Sequence, residues 1–428
     1  MATAGELENI STELKSKYPN PSFTFEGVFR TEAKYRAKLK VNNDYGLNEG
    51  VVTFPMKLTG MWSVGITADN AAFPTAKNPG VVQATLSPEL FSSTVQVGLK
   101  TTSAANSGGS AFNSKGVTAD RIEENAKEVA SFMNKVYAGS NRGRLAIVEA
   151  DGTSTFTAAK PLGTELLEEG MRLEAYTAHT SGSVRDSFSD HKITGIDHDT
   201  RIVTYVGAAD TADDRLLVAG DHIYIKGSYA RTPVSMPDIV DDGTNCAVIY
   251  GRTRSTDLKT KAFVLANGGT KRDLTEQLLL DACSLPKRKA GKKITRLLCN
   301  DGQGRKYTSF VAAQRQYPGL ASGDPRYVTG YNENSLPFVA PGTNARLEEE
   351  LDCPPRSVFC LSWDTFFLYQ SEELKWLENG SGLLHLSPGS STHNSAFLAY
   401  MYAVENQGNT MPRANSRLDD LNDPICGD

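Results

Sequence analysis

Between residues 51 and 102 the chain reads as two strands with no further strand near them in sequence. Residues 51–67 are rich in β-branched and aromatic side chains, the composition of a strand. Residues 68–89 are crowded with Ala, Asn, Pro and Gly, which marks a turn-like tip. Residues 90–102 then alternate apolar and polar as a long return strand should. A two-stranded ribbon is marginal in water, so this segment requires another surface to lie on.

The flanking text has the same incompleteness. Leu7, Ile10, Leu14 and Tyr18 are spaced as one helix face, and Pro19 and Pro21 end it. An arm follows, lightly basic through Arg30, Lys34, Arg36, Lys38 and Lys40, with too little apolar content to fold alone. After the ribbon, a glycine-rich break precedes the strongest helix signal, residues 118–138. Ile122, Ala126, Val129, Phe132, Met133 and Val136 form its stripe, with Thr118 as the expected cap. Such a helix spans roughly 30 Å. Gly60, Gly65 and the Gly108-Gly109 pair are the places where the ribbon can bend.

Residues 143–232 hold short strand-like runs separated by Gly and Asp, the pattern of a small β-barrel. From residue 238 the text turns α/β. Asp273 is the expected cap of a helix over 274–284, and residues 294–299 and 358–363 read as strands. Residues 305–316 read as a helix, and 396–404 as a strand or buried helix.

Composition narrows the function. The 428 residues, 39% hydrophobic and 22% charged, suffice for two or three units with a sizeable core. Lys+Arg 45 against Asp+Glu 50 gives a net charge of −5, the wrong sign for a free nucleic-acid reader. Mean hydropathy is −0.36. No apolar run approaches the roughly 20 residues of a membrane helix, so no membrane association is expected. The polar start is unlike a secretory signal, and the six cysteines, with no Cys-x-x-Cys pair, are expected as reduced buried thiols.

Chemistry-bearing patterns are sparse. Asp190-His191 and Asp197-His198-Asp199 place carboxylate beside imidazole, the pairing of general base catalysis or metal binding. Both sit in hairpin-like turns, where Asp and His are ordinary residues. Residues 301–306 and 267–272 are glycine-rich but lack phosphate-loop spacing, and both are expected as turns. Glu348-Glu349-Glu350 and Asp419-Asp420 are adjacent and so do not face one another. No enzymatic activity, cofactor or metal is expected; a carbohydrate-active β-rich enzyme using the Asp197-His198-Asp199 turn is the lesser alternative. Lys287, Arg288, Lys289, Lys292 and Lys293 form a basic cluster, read as a solvated loop or as a contact for polyanion or a neighbouring subunit. Appendages that cannot stand alone, in a chain without a catalytic constellation, point to a surface completed by copies of itself.

In order of parts the chain resembles the major capsid protein of tailed bacteriophages, whose fold encapsulin shells share. The ribbon over 54–102 stands where that family has its extended loop, and residues 118–138 where it has its spine helix. Asn141-Arg142-Gly143-Arg144-Leu145 is similar to the family's re-entry into its peripheral domain, and residues 230–316 to its axial domain. The ending, with Asn406, Pro412-Arg413-Ala414-Asn415 and an Asp-rich tail, is similar to how many such chains close. The resemblance implies an α+β fold: N-terminal arm 1–50, extended two-stranded loop 51–105, spine helix and peripheral domain 106–159, inserted small β-barrel 160–230, α/β axial domain 231–392, and a return to the peripheral domain with a C-terminal tail, 393–428.

It further implies self-assembly into pentamers and hexamers of an icosahedral shell enclosing double-stranded DNA, contacted without sequence specificity. The place would be the virion, assembled in the bacterial host cytoplasm with portal and scaffolding proteins and a decoration protein as further partners. An encapsulin-like compartment around protein cargo is the same-fold alternative. Expected intersubunit contacts are Phe73, Pro74, Lys77, Asn78, Val81 and Val82 on the loop and Arg30, Lys34 and Arg36 on the arm. Some relatives crosslink this loop through a Lys–Asn isopeptide; Lys77 is the residue to test here, though no pattern demands a crosslink. The arm begins within the first residues, so the expectation is no cleaved prosegment and a separate scaffold.

Overall fold

The computed structural model describes residues 34–48, 50–57, 63–67, 69, 72–75, 78–98, 114–139, 141–152, 154–179, 182–185, 188, 190–207, 217–314, 335–340, 343–377, 385–386 and 396–424. A short helix α1 (Lys34–Lys38) comes first. Strands β1 (Leu47–Asn48), β2 (Val51–Lys57), β3 (Val81–Leu86) and β4 (Glu89–Gly98) lead to the long helix α2 (Ser114–Ala138). Next come β5 (Ala146–Asp151), β6 (Thr155–Ala158), β7 (Arg172–Tyr176), β8 (His191–Asp197), β9 (Ile202–Gly207) and β10 (His222–Ile225). Helix α3 (Met236–Ile239) and strands β11 (Val248–Ile249), β12 (Arg252–Thr253) and β13 (Phe263–Leu265) follow. The remainder is α4 (Glu276–Ala290), β14 (Arg296–Cys299), α5 (Asp301–Gln314), β15 (Ser335–Ala340), β16 (Thr343–Glu349), β17 (Val358–Leu361), β18 (Phe366–Trp376), β19 (His385–Leu386), β20 (Ala396–Asn409) and β21 (Ser416–Leu418).

The ribbon is paired differently from the sequence expectation. The partner of β2 is β3, in the register Val52↔Leu86, Phe54↔Ala84 and Met56↔Val82, so residues 81–86 belong to the return strand and not to the tip. The alternating run that begins at residue 90 lies in β4, which pairs with β20. Pro88 separates β3 from β4, because it has no N–H to continue a ladder. The carbonyl of Ser87 is taken instead by Asn406 Nδ2 at 2.6 Å. Val52, Phe54, Met56, Ala84 and Leu86 line the inner face and are buried. The Phe54 ring meets Tyr45, Tyr250 and Phe367 at 5.7, 5.3 and 5.5 Å between centroids, within the range of favourable aromatic pairs. The base of the ribbon is therefore stabilised by its own chain.

The chain divides into two compact units. The smaller is made of residues 1–33, 90–133 and 370–405. Among its described residues, β20 is the common partner of β4, β18 and β19. Val95 and Ala399 form its apolar centre with Trp376 against them. Two contacts tie α2 to β4: Phe132 edge-on to Phe91 at 6.2 Å, and Asn125 Nδ2 donating to Ser93 Oγ at 2.8 Å. The helix starts at Ser114, so Thr118 lies inside it and does not cap it.

The larger unit contains a closed barrel, ordered β10-β5-β6-β9-β8-β7. Leu173, Ile193, Ile223, Phe156, Phe188 and Tyr205 are among the side chains filling it. Its strands begin at Ala146, inside the 143–232 span whose pattern reads as a barrel and ahead of the residue-160 boundary that the resemblance implies. The same unit carries a six-stranded mixed sheet, β13-β21-β17-β14-β16-β15, in which β14 runs parallel to β16 and antiparallel to β17. Leu279 and Cys283 of α4 share a core with Leu297, Leu347, Cys360 and Leu418 of the sheet.

Three local expectations are corrected here. Thr275, not Asp273, caps α4, its hydroxyl accepting the Leu278 N–H at 3.3 Å. The Asp273 carboxylate receives Lys306 Nζ at 3.1 Å and Asn422 Nδ2 at 3.0 Å instead. Helix α4 continues through Pro286 to Gly291, whose left-handed φ of 72° closes it. Lys287, Arg288 and Lys289 thus form a last helical turn, where cations complement the helix dipole. Residues 301–306 open α5 and are not a free turn. A Cβ on Gly302 or Gly304 would displace the carboxylate of Asp423 or Glu349.

Candidate assembly surface

Beyond the β2–β3 pair, the described residues of the loop pack little. Val64, Ile66 and Phe73 are 90%, 106% and 90% exposed. The two limbs of the tip lie side by side, since a Cβ on Gly65 would stand 3.1 Å from Pro74 Cγ. Three large apolar side chains held in water on one narrow feature form a patch that a partner surface would cover. Val64 and Ile66 were not among the expected contacts. The text placed them in a strand; the described strand is Val51–Lys57, and residues 63–67 lie in none.

The expected loop contacts divide. Phe73, Pro74 and Asn78 are exposed, and Val81 is 48% exposed at the start of β3. Val82 pairs with Met56 and is partly buried. Lys77 and Arg30 lie outside the described residues. Lys34 and Arg36 sit on α1, which the chain itself holds. Tyr35 OH donates to Gln407 Oε1 at 3.0 Å, the Arg36 N–H donates to Asn134 Oδ1 at 3.1 Å, and Trp363 Nε1 donates to the Lys38 carbonyl at 3.3 Å. Lys38 also pairs with Glu348 at 2.8 Å.

The basic cluster divides as well. Lys287, Arg288, Lys289 and Lys293 are exposed. Lys292 is paired with Asp364 at 2.6 Å, and Arg288 donates to Ser284 Oγ at 3.4 Å.

The histidine turns are arranged for structure. Asp197 accepts the Thr200 hydroxyl at 2.6 Å and the Asp199 N–H at 3.0 Å, bonds that hold its carboxyl below the usual range. His198 Nδ1 lies 2.9 Å from Thr164 Oγ1, so that ring nitrogen is engaged by a hydroxyl. Asp190 receives Arg172 at 3.1 Å and Lys226 at 2.5 Å, while His191 is buried and stacks on Phe188 at 4.3 Å. Burial, reinforced by Arg144 and His222, lowers His179 to about 3 and keeps it neutral.

No protein-family model and no curated protein sequence matches the chain. The solved capsid asymmetric unit of cyanophage A-1(L) does match, with a TM-score of 0.51 over 94% of this chain and 96% of that one, at 13% identity. The chain has the phage capsid fold. The capsid of a native GTA particle is 12% identical over 94% of this chain and 95% of that one, with a TM-score of 0.46. The capsid of Myoviridae phage XM1 is 8% identical over 98% of each chain, with a TM-score of 0.43. The α+β capsid fold expected from the order of parts is the fold observed.

Proposed function

We propose that the chain is a major capsid protein whose copies close into the pentamers and hexamers of an icosahedral shell around double-stranded DNA. The observation that carries this reading is an apolar loop tip, left uncovered by its own chain, on a capsid fold. Val64, Ile66 and Phe73 of one copy bury against a neighbour, while the self-packed β2–β3 base keeps the tip presented. Each contact is weak; many closing together stabilise the shell. The exposed Lys287, Arg288, Lys289 and Lys293 suit phosphate contact without sequence readout. Portal, scaffolding and decoration proteins complete the set of partners, and the chain resides in the virion after assembly in the host cytoplasm.

The test is size exclusion followed by negative-stain imaging of the full chain, alone and with a co-expressed scaffold. Closed shells or rings of five and six support the proposal. A chain that stays monomeric under every salt and crowding condition, with scaffold present, overturns it. Particles from infected cells that enclose protein and no DNA would keep the shell and remove the genome from the reading.

A further inference from the structure

Three elements meet on one side-chain amide. Asn134, in α2, is wholly buried. Its Oδ1 accepts the backbone N–H of Arg36 in α1 at 3.1 Å. Its Nδ2 donates to Glu350 Oε1 at 3.0 Å and to Asp352 Oδ2 at 2.6 Å. Both carboxyl groups follow β16, and both are almost fully buried. Two carboxyls converging on one NH2 group away from water cannot both ionise freely, because each charge opposes the other and both lack hydration.

The surroundings moderate that conflict without removing it. From α1, Lys34 and Lys38 face Glu350, but Lys38 is shared with Glu348, and the buried Tyr35 phenol carries no charge to offset. From α2, Lys135 is engaged by Glu168. On the strands, Arg296 pairs with Glu348 at 3.2 Å. The buried thiols of Cys299 and Cys353 are pushed up by burial and stay neutral. Burial first, and Asp352 second, raise Glu350 to about 7.

We propose that Glu350 is a proton-operated latch for the helix α1. With its proton on, Glu350 and Asp352 share the Asn134 amide, whose oxygen stays fixed on the Arg36 N–H. With its proton off, two carboxylates oppose each other beneath that anchor, and α1 loosens from α2. The attachment of the arm's helix is thereby coupled to pH across neutrality, independently of what the chain assembles into.

The experiment is amide hydrogen exchange on the full chain from about pH 5.5 to 8, with intrinsic rates divided out and the barrel amides of β8 and β9 as the internal reference. A carboxyl at about 7 when latched and at its ordinary 4.5 when released lets the opening of α1 rise by up to about 30-fold over that range. Glu350→Gln keeps the shape and the acceptor oxygen, and its α1 protection is expected to be flat with pH. Asp352→Asn removes the opposing charge that helps raise Glu350, so it is expected to move the midpoint for loosening to lower pH and to shrink the total change. Wild-type protection of α1 that does not change with pH overturns the latch. So does a wild-type slope retained in Glu350→Gln or, should that variant not fold, an unmoved midpoint in Asp352→Asn.

Discussion

Replacing Val64, Ile66 and Phe73 together by serine separates assembly from folding. All three are 90% exposed or more in the single chain, so their burial contributes nothing to its stability. Fully covering a Val, Ile or Phe side chain stabilises by about 1.5–3 kcal/mol. If a neighbour covers half of each, the three supply about 3 kcal/mol per contact. That loss weakens each contact on the order of a hundredfold, and a closed shell repeats it at every subunit. Surface substitutions of this kind shift folding by about 0.5 kcal/mol or less. The expected outcome is an unchanged thermal melt by circular dichroism, with shells and rings absent from negative-stain fields at concentrations where the parent chain assembles. Shells formed at the parent's yield and concentration would refute the reasoning, because the tip would then be no part of the contact.

Phe54→Ala removes the ring on which Tyr45, Tyr250 and Phe367 converge. It is expected to cost about 3–5 kcal/mol in urea unfolding, with Phe54→Leu losing clearly less. Arg254 is fully buried, donates to the carbonyls of Asp238, Asp241 and Ile239, and pairs with Asp241 at 3.6 Å. Arg254→Met takes the guanidinium donor from the Asp238 and Ile239 carbonyls, while Asp241 keeps Ala262 on its carbonyl and Gly243, Cys246 and Arg417 on its carboxylate; the expected loss is about 1–3 kcal/mol, read from the same unfolding curves. Glu350 has its folded pKa raised from 4.5 to about 7. Its contribution is therefore full below about pH 4.5 and lost as pH rises through about 7, a fall of about 3 kcal/mol that unfolding at a series of pH values measures. Glu350→Gln is expected to remove that slope.

Local pattern carried a large share of the fold. The stripe from Ile122 to Val136 marked the long helix, and short strand-like runs over 143–232 marked the barrel, because period and turn residues are properties of neighbouring positions. The exposure of Phe73 and Pro74 agrees with the reading of their segment as a turn-like tip. The order of parts also sufficed to name the resemblance that the structural comparison then supported.

What tertiary structure alone decided was who meets whom. Residues 51–57 could pair with either later run, and the choice of β3 over β4 was made by burying Phe54, Met56 and Leu86 on the chain's own body and by giving β4 a partner in β20. The glycine-rich text at 301–306 opens a helix, and Gly302 and Gly304 leave room there for the carboxylates of Asp423 and Glu349, distant in sequence. Thr275 outranked Asp273 as a cap once Lys306 and Asn422 engaged the aspartate. The junction of Asn134, Arg36, Glu350 and Asp352 spans 216 to 218 positions between amide and acids, and no local pattern announces it. Propensity acts between neighbours in sequence, whereas burial and charge act between neighbours in space, and only the folded chain makes the second set known.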